Sequence, residues 1–288
     1  MSLSKLIIPA MAAFAITSCS SGGAKDAPAA DFDYTVDRFA DIEVLRYKVP
    51  GFEDLTPSQR LYIYYLTEAA IAGRDILWDQ NGKYNLAIRD LVENVYTNYS
   101  GDRDDSNFKA LELYLKQIEF GNGIHHHYST DKFIPQFDRE WFAAQAAALP
   151  SAPSAEEMDT LLPVIFDPSV MAKRVNQAEG QDLILTSANN LYGGGVTQAE
   201  VENYYNALKD TTDLTPVSWG LNARVVKENG KVVEQVYKAD GLYGPAISRI
   251  IENLEKAAEY AENDSQKAII AKLVEFYRTG DLKKFDEY

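Results

Sequence analysis

Apolar residues recur at helical spacing along most of this chain from residue 31 onward. The sequence Thr56-Pro57 marks the first helix, because threonine caps a helix N-terminus and proline fits its first turn. The pattern predicts that this helix spans 57–78, with a buried face formed by Leu61, Tyr64, Tyr65, Leu66, Ala69 and Ala72. Further helices are predicted at 83–99, 107–119, 138–149, 155–163, 168–176, 198–209, 243–262 and 265–279. Gly280 is predicted to end the last of them.

The hydrophobic period changes from helical to alternating between residues 223 and 237. Two alternating runs flank Asn229-Gly230, the dipeptide that a type I′ hairpin turn favours. Gly193-Gly194-Gly195 predicts a flexible turn before the helix at 198–209. The predicted fold class is therefore mainly α with a small β component (α+β), a helical lobe plus a β-hairpin.

The N-terminus has the pattern of an export signal. An apolar run from Leu6 to Ile16 follows Lys5 and is shorter than a membrane-spanning helix requires. A small residue, Ser18, directly precedes the only cysteine, Cys19, as in bacterial lipoprotein signal peptides. We therefore expect residues 1–18 to be a signal peptide, Cys19 to be lipidated, 19–30 to be a flexible tether and 31–288 to be the folded part.

This pattern predicts a lipid-anchored protein of the bacterial cell envelope, facing the periplasm or the cell surface, with the outer membrane preferred. A plain secretory signal cut nearby is the alternative. The membrane contact would then be through the lipid anchor only. Because Cys19 is the only cysteine, no disulfide within the chain is expected to stabilise the fold.

Composition excludes one large class of partners. The hydrophobic content of 46% and charged content of 25% are ordinary for a globular protein. The formal net charge is -15, and the basic residues are scattered along the chain. Such a surface repels phosphate backbones, so nucleic acid is not expected as a partner.

All three histidines lie in one tripeptide, His125-His126-His127, between Gly123 and Tyr128. A hydrolytic zinc site usually takes histidines from a helix, as in H-E-x-x-H, and this motif is missing from the sequence. Three consecutive rings are expected to point in different directions, which prevents them from converging on one ion. We therefore expect this chain to bind no metal, and no residue is assigned a catalytic role. The sequence also lacks the G-x-S-x-G nucleophile motif and the phosphate-binding G-x-x-x-x-G-K-[ST] motif.

The segment from Asn122 to Pro135, which contains the histidine triplet, resembles the dipeptidyl peptidase III family of zinc exopeptidases in its Bacteroides-type branch. Further segments resemble the same branch in the same order, namely 46–55, 73–85, 166–168, 171–177 and 220–224. Several ordered matches of this kind make a chance similarity improbable.

The resemblance implies a two-lobed enzyme that removes dipeptides from the N-termini of short peptides. Its zinc would be bound by H-E-x-x-G-H and by a glutamate of E-E-x-x-x-D, neither of which occurs in these 288 residues. The chain is therefore expected to be the N-terminal, substrate-cleft part of such a peptidase, inactive alone, with short peptides and the missing C-terminal part as partners. A non-catalytic surface lipoprotein that binds peptides or glycans is the alternative, and a non-functional truncated product is a third possibility.

The resemblance also implies which residues contact substrate. The expected substrate-binding residues are Asn122, Gly123, His125, His126, His127 and Tyr128. In this interpretation the backbone amides of Asn122 and Gly123 pair with an extended peptide, and the rings bracket its side chains.

Overall fold

The computed structural model describes residues 32–288. The predicted signal peptide, Cys19 and the tether lie outside the described residues, and the predicted folded part is described from its second residue onward. None of the helices within 32–288 combines the length and the apolar character needed to cross a membrane.

The described part of the chain is mainly helical and has two small sheets, which confirms the predicted α+β class. The helices are α1 (Pro57–Ala72), α2 (Arg74–Asn81), α3 (Asn85–Asn98), α4 (Ser106–Gly121), α5 (Arg139–Ala147), α6 (Ala155–Phe166), α7 (Leu183–Thr186), α8 (Gln198–Leu208), α9 (Gly244–Glu259), α10 (Asp264–Thr279) and α11 (Leu282–Glu287). The strands are β1 (Thr35–Phe39), β2 (Ile42–Leu45), β3 (Tyr192–Gly193), β4 (Ala223–Glu228) and β5 (Lys231–Val236).

The predicted hairpin is present. Strands β4 and β5 pair antiparallel, and Glu228 faces Lys231 across the turn. Asn229 and Gly230 have φ values of 49° and 77°, the positive values that a type I′ turn requires at both central residues. Strand β3 adds to β4 in parallel, giving the order β3-β4-β5, whereas β1 and β2 form a separate antiparallel pair.

Two apolar cores hold the helices together. The larger one is formed by α3, α4, α5 and α6, and Trp78 of α2 is buried in it. The second lies where α1, α9 and α10 pack against one another. A third, small cluster of Val196, Val201 and Val225 lies under the three-stranded sheet.

The first predicted helix is divided in two. Thr56 caps α1 as expected, and its side chain accepts a hydrogen bond from the amide of Gln59. However, α1 ends at Ala72, and Gly73 separates it from α2. Gly73 lies against α9, since a Cβ at this position would be 3.2 Å from Cδ1 of Ile250.

The predicted buried face of the first helix is only partly correct. Tyr65, Leu66, Ala69 and Ala72 belong to the second core, and Tyr62 packs there with them. Leu61 and Tyr64 are exposed, which contradicts the prediction. The face that α1 buries is the one that packs against α9.

The predicted helix at 168–176 is wrong. The chain forms a turn at residues 168–171 and then an isolated bridge between Lys173 and Asp131. Gly280 ends α10 with a φ of 72°, as predicted, but the short helix α11 follows it. The β1–β2 pair was not predicted from the sequence.

Candidate functional site

The histidine loop begins where α4 ends. Asn122 caps α4 in the left-handed conformation, with a φ of 49° and a ψ of 48°. Its amide donates to the carbonyl of Glu119 at 3.4 Å, and the amide of Gly123 donates to the carbonyl of Ile118 at 3.0 Å. These bonds complete the helix terminus. The prediction that the two amides pair with a bound peptide is corrected accordingly, because both are used inside the protein.

Buried Asn85 fixes the path of the loop. Its Nδ2 donates to the carbonyl of Trp78 at 3.1 Å, and its Oδ1 accepts from the amide of Ile124 at 3.4 Å. Gly123 has a φ of 143° and lies so close that a Cβ would be 2.2 Å from Asn85 Nδ2. Only glycine fits this position, for reasons of both conformation and space.

His125 points into the protein and is 1% exposed. Its Nε2 lies 2.7 Å from the carbonyl oxygen of Met171, and since a carbonyl only accepts, Nε2 carries the proton. Burial lowers the pKa of His125 to about 4, and the charges of Arg174 and Lys132 act in the same direction. His125 is therefore neutral and supports the loop, with no face left for the predicted contact with substrate.

His126 has a fixed orientation at the surface. Its Nδ1 accepts hydrogen bonds from the amides of Tyr128 and Ser129, both at 3.1 Å. The proton is therefore on Nε2, which lies 3.3 Å from Oδ2 of Asp41 in the turn between β1 and β2. This contact joins the histidine loop to the β1–β2 hairpin.

His127 and Tyr128 form an aromatic rim with His126. The His126 and His127 rings stack with centroids 4.4 Å apart, and the Tyr128 ring is 4.2 Å from that of His127. Burial lowers the pKa of His127, and the neighbouring His126 lowers it further. Tyr128 is 84% exposed. The expectation of three divergent rings is thus correct for His125 and wrong for the stacked pair.

Three of the segments that carry the family resemblance meet at this loop. Asn81 donates from Nδ2 to the carbonyl of Asn122 at 3.0 Å. Arg174 donates from Nη2 to the carbonyl of His127 at 2.9 Å, and burial lowers the pKa of its guanidinium. The polypeptide around the histidines is therefore held from two sides by side chains distant in sequence.

Lys132 is a second buried polar residue that the sequence analysis did not identify. Its Nζ donates to the carbonyls of Asp167 at 2.6 Å and Val170 at 2.9 Å. Burial lowers the pKa of this amine to about 8. Lys132 thereby fixes the turn that replaces the predicted helix at 168–176.

The side chains described here do not fit a zinc ion. Within residues 32–288, no three His, Cys, Asp or Glu side chains are grouped so that they could hold a metal. In addition, Nε2 of His125 and Nδ1 of His126 already have partners inside the protein. The loop offers an aromatic surface with one imidazole of fixed orientation.

Comparison with known proteins identifies a family over part of the chain. Residues 214–288, from the segment before β4 to α11, match the family model of Peptidase family M49. This match confirms the resemblance to the dipeptidyl peptidase III family that the sequence indicated. Among curated proteins, no sequence matches this chain.

Two solved structures are similar to the chain over part of their length. DPP III from Caldithrix abyssi is 19% identical, with a TM-score of 0.49, over 82% of this chain and 33% of that one. Dipeptidyl-peptidase III from Corallococcus sp. strain EGB is 17% identical, also with a TM-score of 0.49, over 82% of this chain and 33% of that one. The chain thus spans about a third of the length of these proteins.

Proposed function

We propose that this chain, whose residues 214–288 match the family model of Peptidase family M49, is the substrate-cleft part of a dipeptidyl peptidase III-like zinc exopeptidase. The family match is the observation that carries the proposal. The complete enzyme would release dipeptides from the N-termini of short peptides. Because the 288 residues lack H-E-x-x-G-H and E-E-x-x-x-D, the chain alone would bind no catalytic zinc and would be inactive.

The role of the histidine loop in this proposal is to contact substrate. The rim supports it, since stacked rings offer a rigid surface to peptide side chains: Tyr128 is exposed, and His126 and His127 are partly buried. Asn122, Gly123 and His125 would act indirectly by fixing the loop. None of these residues would take part in bond cleavage.

The activity is tested by assaying two proteins on a dipeptidyl-arylamide with added zinc. One is the 288-residue chain, and the other is the product of the reading frame continued beyond codon 288. We expect hydrolysis only by the longer product, which should contain H-E-x-x-G-H. Hydrolysis by the shorter chain would overturn its proposed inactivity. A frame without the motif, combined with calorimetric binding of short peptides or oligosaccharides, would favour the non-catalytic lipoprotein.

The role of the rim is tested by His126→Ala in the active enzyme. We expect KM to rise about tenfold with little change in kcat, because the ring would contribute to binding and not to bond cleavage. Lys109→Gln is the control, since Lys109 forms an exposed surface pair with Asp104 and its loss should leave both constants unchanged. An unchanged KM for His126→Ala would contradict the proposal that the loop contacts substrate in the cleft.

We also propose that Cys19 anchors the protein to the bacterial cell envelope through lipid, with the outer membrane as the preferred site. Ser18-Cys19 at the end of the apolar run supports this proposal. Cells grown with an alkynyl fatty acid should label the wild-type protein and not Cys19→Ser. A protein that is unlabelled and soluble after export would instead indicate a plain secretory signal.

A further inference from the structure

A polar cavity lies between the end of α7, strand β3 and strand β4, and the turn between α2 and α3 contributes to its wall. Its volume is about 360 Å³. It lies near the histidine loop but does not include any residue of the histidine triplet. Lys83, Met171 and Arg224 line it, together with residues 185–190 and 192–194.

The cavity is positively charged in an acidic protein. Its lining contains two cations, Lys83 and Arg224, and no carboxylate. Within residues 32–288 neither cation forms an ion pair. The whole sequence has 43 acidic residues and 28 basic ones, so two unneutralised cations at one cavity are not explained by the average charge.

Among residues 32–288, the Arg224 guanidinium is held in place without an ion-pair partner. A Cβ at Gly193 would lie 3.0 Å from its Nη2, so the absence of a side chain there leaves room for the guanidinium. Its Nε is buried and has no hydrogen-bond partner among the described residues. A buried donor of a permanently charged group that lacks an acceptor is unfavourable, so an acceptor supplied by a ligand would stabilise it.

Several of the neutral polar groups around the cavity are already in use. Ser187 donates to the carbonyl of Leu183, and Asn189 donates to the carbonyl of Arg174. Nδ2 of Asn190 donates to Asp79. The charged groups of the lining are both cations, which favours an anion over a neutral sugar or amide.

We infer that this cavity binds a small oxyanion, a carboxylate or a phosphate group, with Arg224 as the main contact and Lys83 as a second positive charge. The planar guanidinium presents two parallel N–H groups to such an anion, whereas an ammonium acts as a point charge. This inference does not depend on the proposed peptidase activity.

Calorimetric titration of the 288-residue chain tests the site with three probes in low-salt buffer. The probes are inorganic phosphate, trialanine and trialanine amide. Binding of trialanine but not of its amide would assign the site to a carboxylate, and binding of phosphate alone would assign it to phosphate. Arg224→Gln should weaken binding at least about tenfold, because it removes the charged donors. Arg278→Gln, which removes an exposed arginine paired with Glu255, should bind as the wild type does.

Lys83→Gln provides a second variant in case Arg224→Gln unfolds, since the Lys83 side chain is exposed and its loss should not affect folding. It should weaken binding less than Arg224→Gln does. Thermal denaturation gives an independent readout, in which the bound probe should raise Tm for the wild type more than for either variant. Absence of binding by every probe at millimolar concentration, or equal binding by wild type and both variants, would overturn the inference.

Discussion

His125 is the residue of the triplet whose protonation state the fold determines most strongly. Its pKa is about 4 in the folded protein, whereas an unperturbed histidine of the unfolded chain has a pKa of 6.5. Between these values the unfolded chain binds more protons, so stability rises with pH across this interval. The contribution of neutral His125 is fully present above pH 6.5 and is lost as the pH falls to about 4.

The corresponding prediction concerns the slope of unfolding free energy against pH. Replacement by a group that does not titrate, His125→Gln, should reduce this slope between pH 4 and 6.5 by up to about 1.4 kcal/mol per pH unit. Chemical denaturation across this range measures it. Tyr128→Phe, at an exposed position in the same loop, should retain the wild-type slope. Equal slopes for His125→Gln and the wild type would contradict the assignment of a low pKa.

Gly123 gives a second prediction at the scale of single residues. Gly123→Ala should destabilise the protein by more than about 2 kcal/mol, because it combines an unfavourable φ with displacement of Asn85. Gly180→Ala is the matched control, since Gly180 has a φ of 78° and nothing within 4 Å of its Cβ position. Denaturant unfolding of both variants should show a clearly smaller loss for Gly180→Ala. Equal losses would show that the contact with Asn85 is unimportant.

The sequence placed the three histidines in one loop but did not predict their different environments. Burial of His125 depends on a carbonyl 46 residues away, and the orientation of His126 depends on Asp41 in the β1–β2 turn. Periodicity and local motifs carry no information about such long-range partners. The same reason explains why buried Asn85 and Lys132 were not found, since in a sequence both are ordinary polar residues.

At the scale of elements, local signals gave the correct result where local interactions decide the structure. The capping threonine of α1 and the Asn229-Gly230 turn are examples. The β1–β2 pair was not predicted for three reasons. Its strands have only five and four residues, and their register is irregular near Asp37. Its turn has Ala40 at a φ of 47°, where glycine or asparagine is usual. The turn at 168–171 was missed because a buried lysine from a distant segment holds it.

That lysine leads to a prediction about its segment. Lys132→Met keeps most of the apolar stem but leaves the carbonyls of Asp167 and Val170 without their donor. We expect a loss of about 2 kcal/mol or more and faster amide hydrogen exchange in residues 167–171. Lys173→Met is the control, because the pair between Lys173 and Asp131 is exposed and contributes about 0–1 kcal/mol. A loss for Lys132→Met no larger than the control would contradict this role.

At the scale of the whole molecule, Asp79 links parts of the chain that are far apart in sequence. Its Oδ2 accepts from Asn190 Nδ2 at 3.0 Å and from the hydroxyl of Tyr243 at 2.6 Å. The three residues come from α2, the segment before β3 and the start of α9. Since α2 has residues in both large cores, this carboxylate connects the cores to the sheet region.

We predict that Tyr243→Phe costs about 1.5–3 kcal/mol, the usual contribution of a hydrogen bond to a charged group. Burial and the neighbouring carboxylate both raise the pKa of Tyr243, so its hydroxyl remains protonated and the bond persists at neutral pH. Tyr204→Phe, at a tyrosine without a hydrogen bond among the described residues, should cost little. Urea denaturation measures the loss of unfolding free energy for each variant. Similar losses for Tyr243→Phe and Tyr204→Phe would contradict a linking role for Asp79.

The position of the β1–β2 hairpin has a mechanical consequence. Tension applied through the chain preceding Phe32 enters the fold at the open end of this hairpin, where the amide of Arg46 donates to the carbonyl of Tyr34 at 2.8 Å. Next to this bond Thr35 pairs with Leu45, from which the chain continues into the rest of the protein. Load and restraint therefore act at the same end of the hairpin, and its hydrogen bonds would break one after another instead of together. Separation of the strands would proceed toward Asp41, so the contact between Asp41 and His126 would break last. The applied force would therefore reach the histidine loop only after the hairpin had opened.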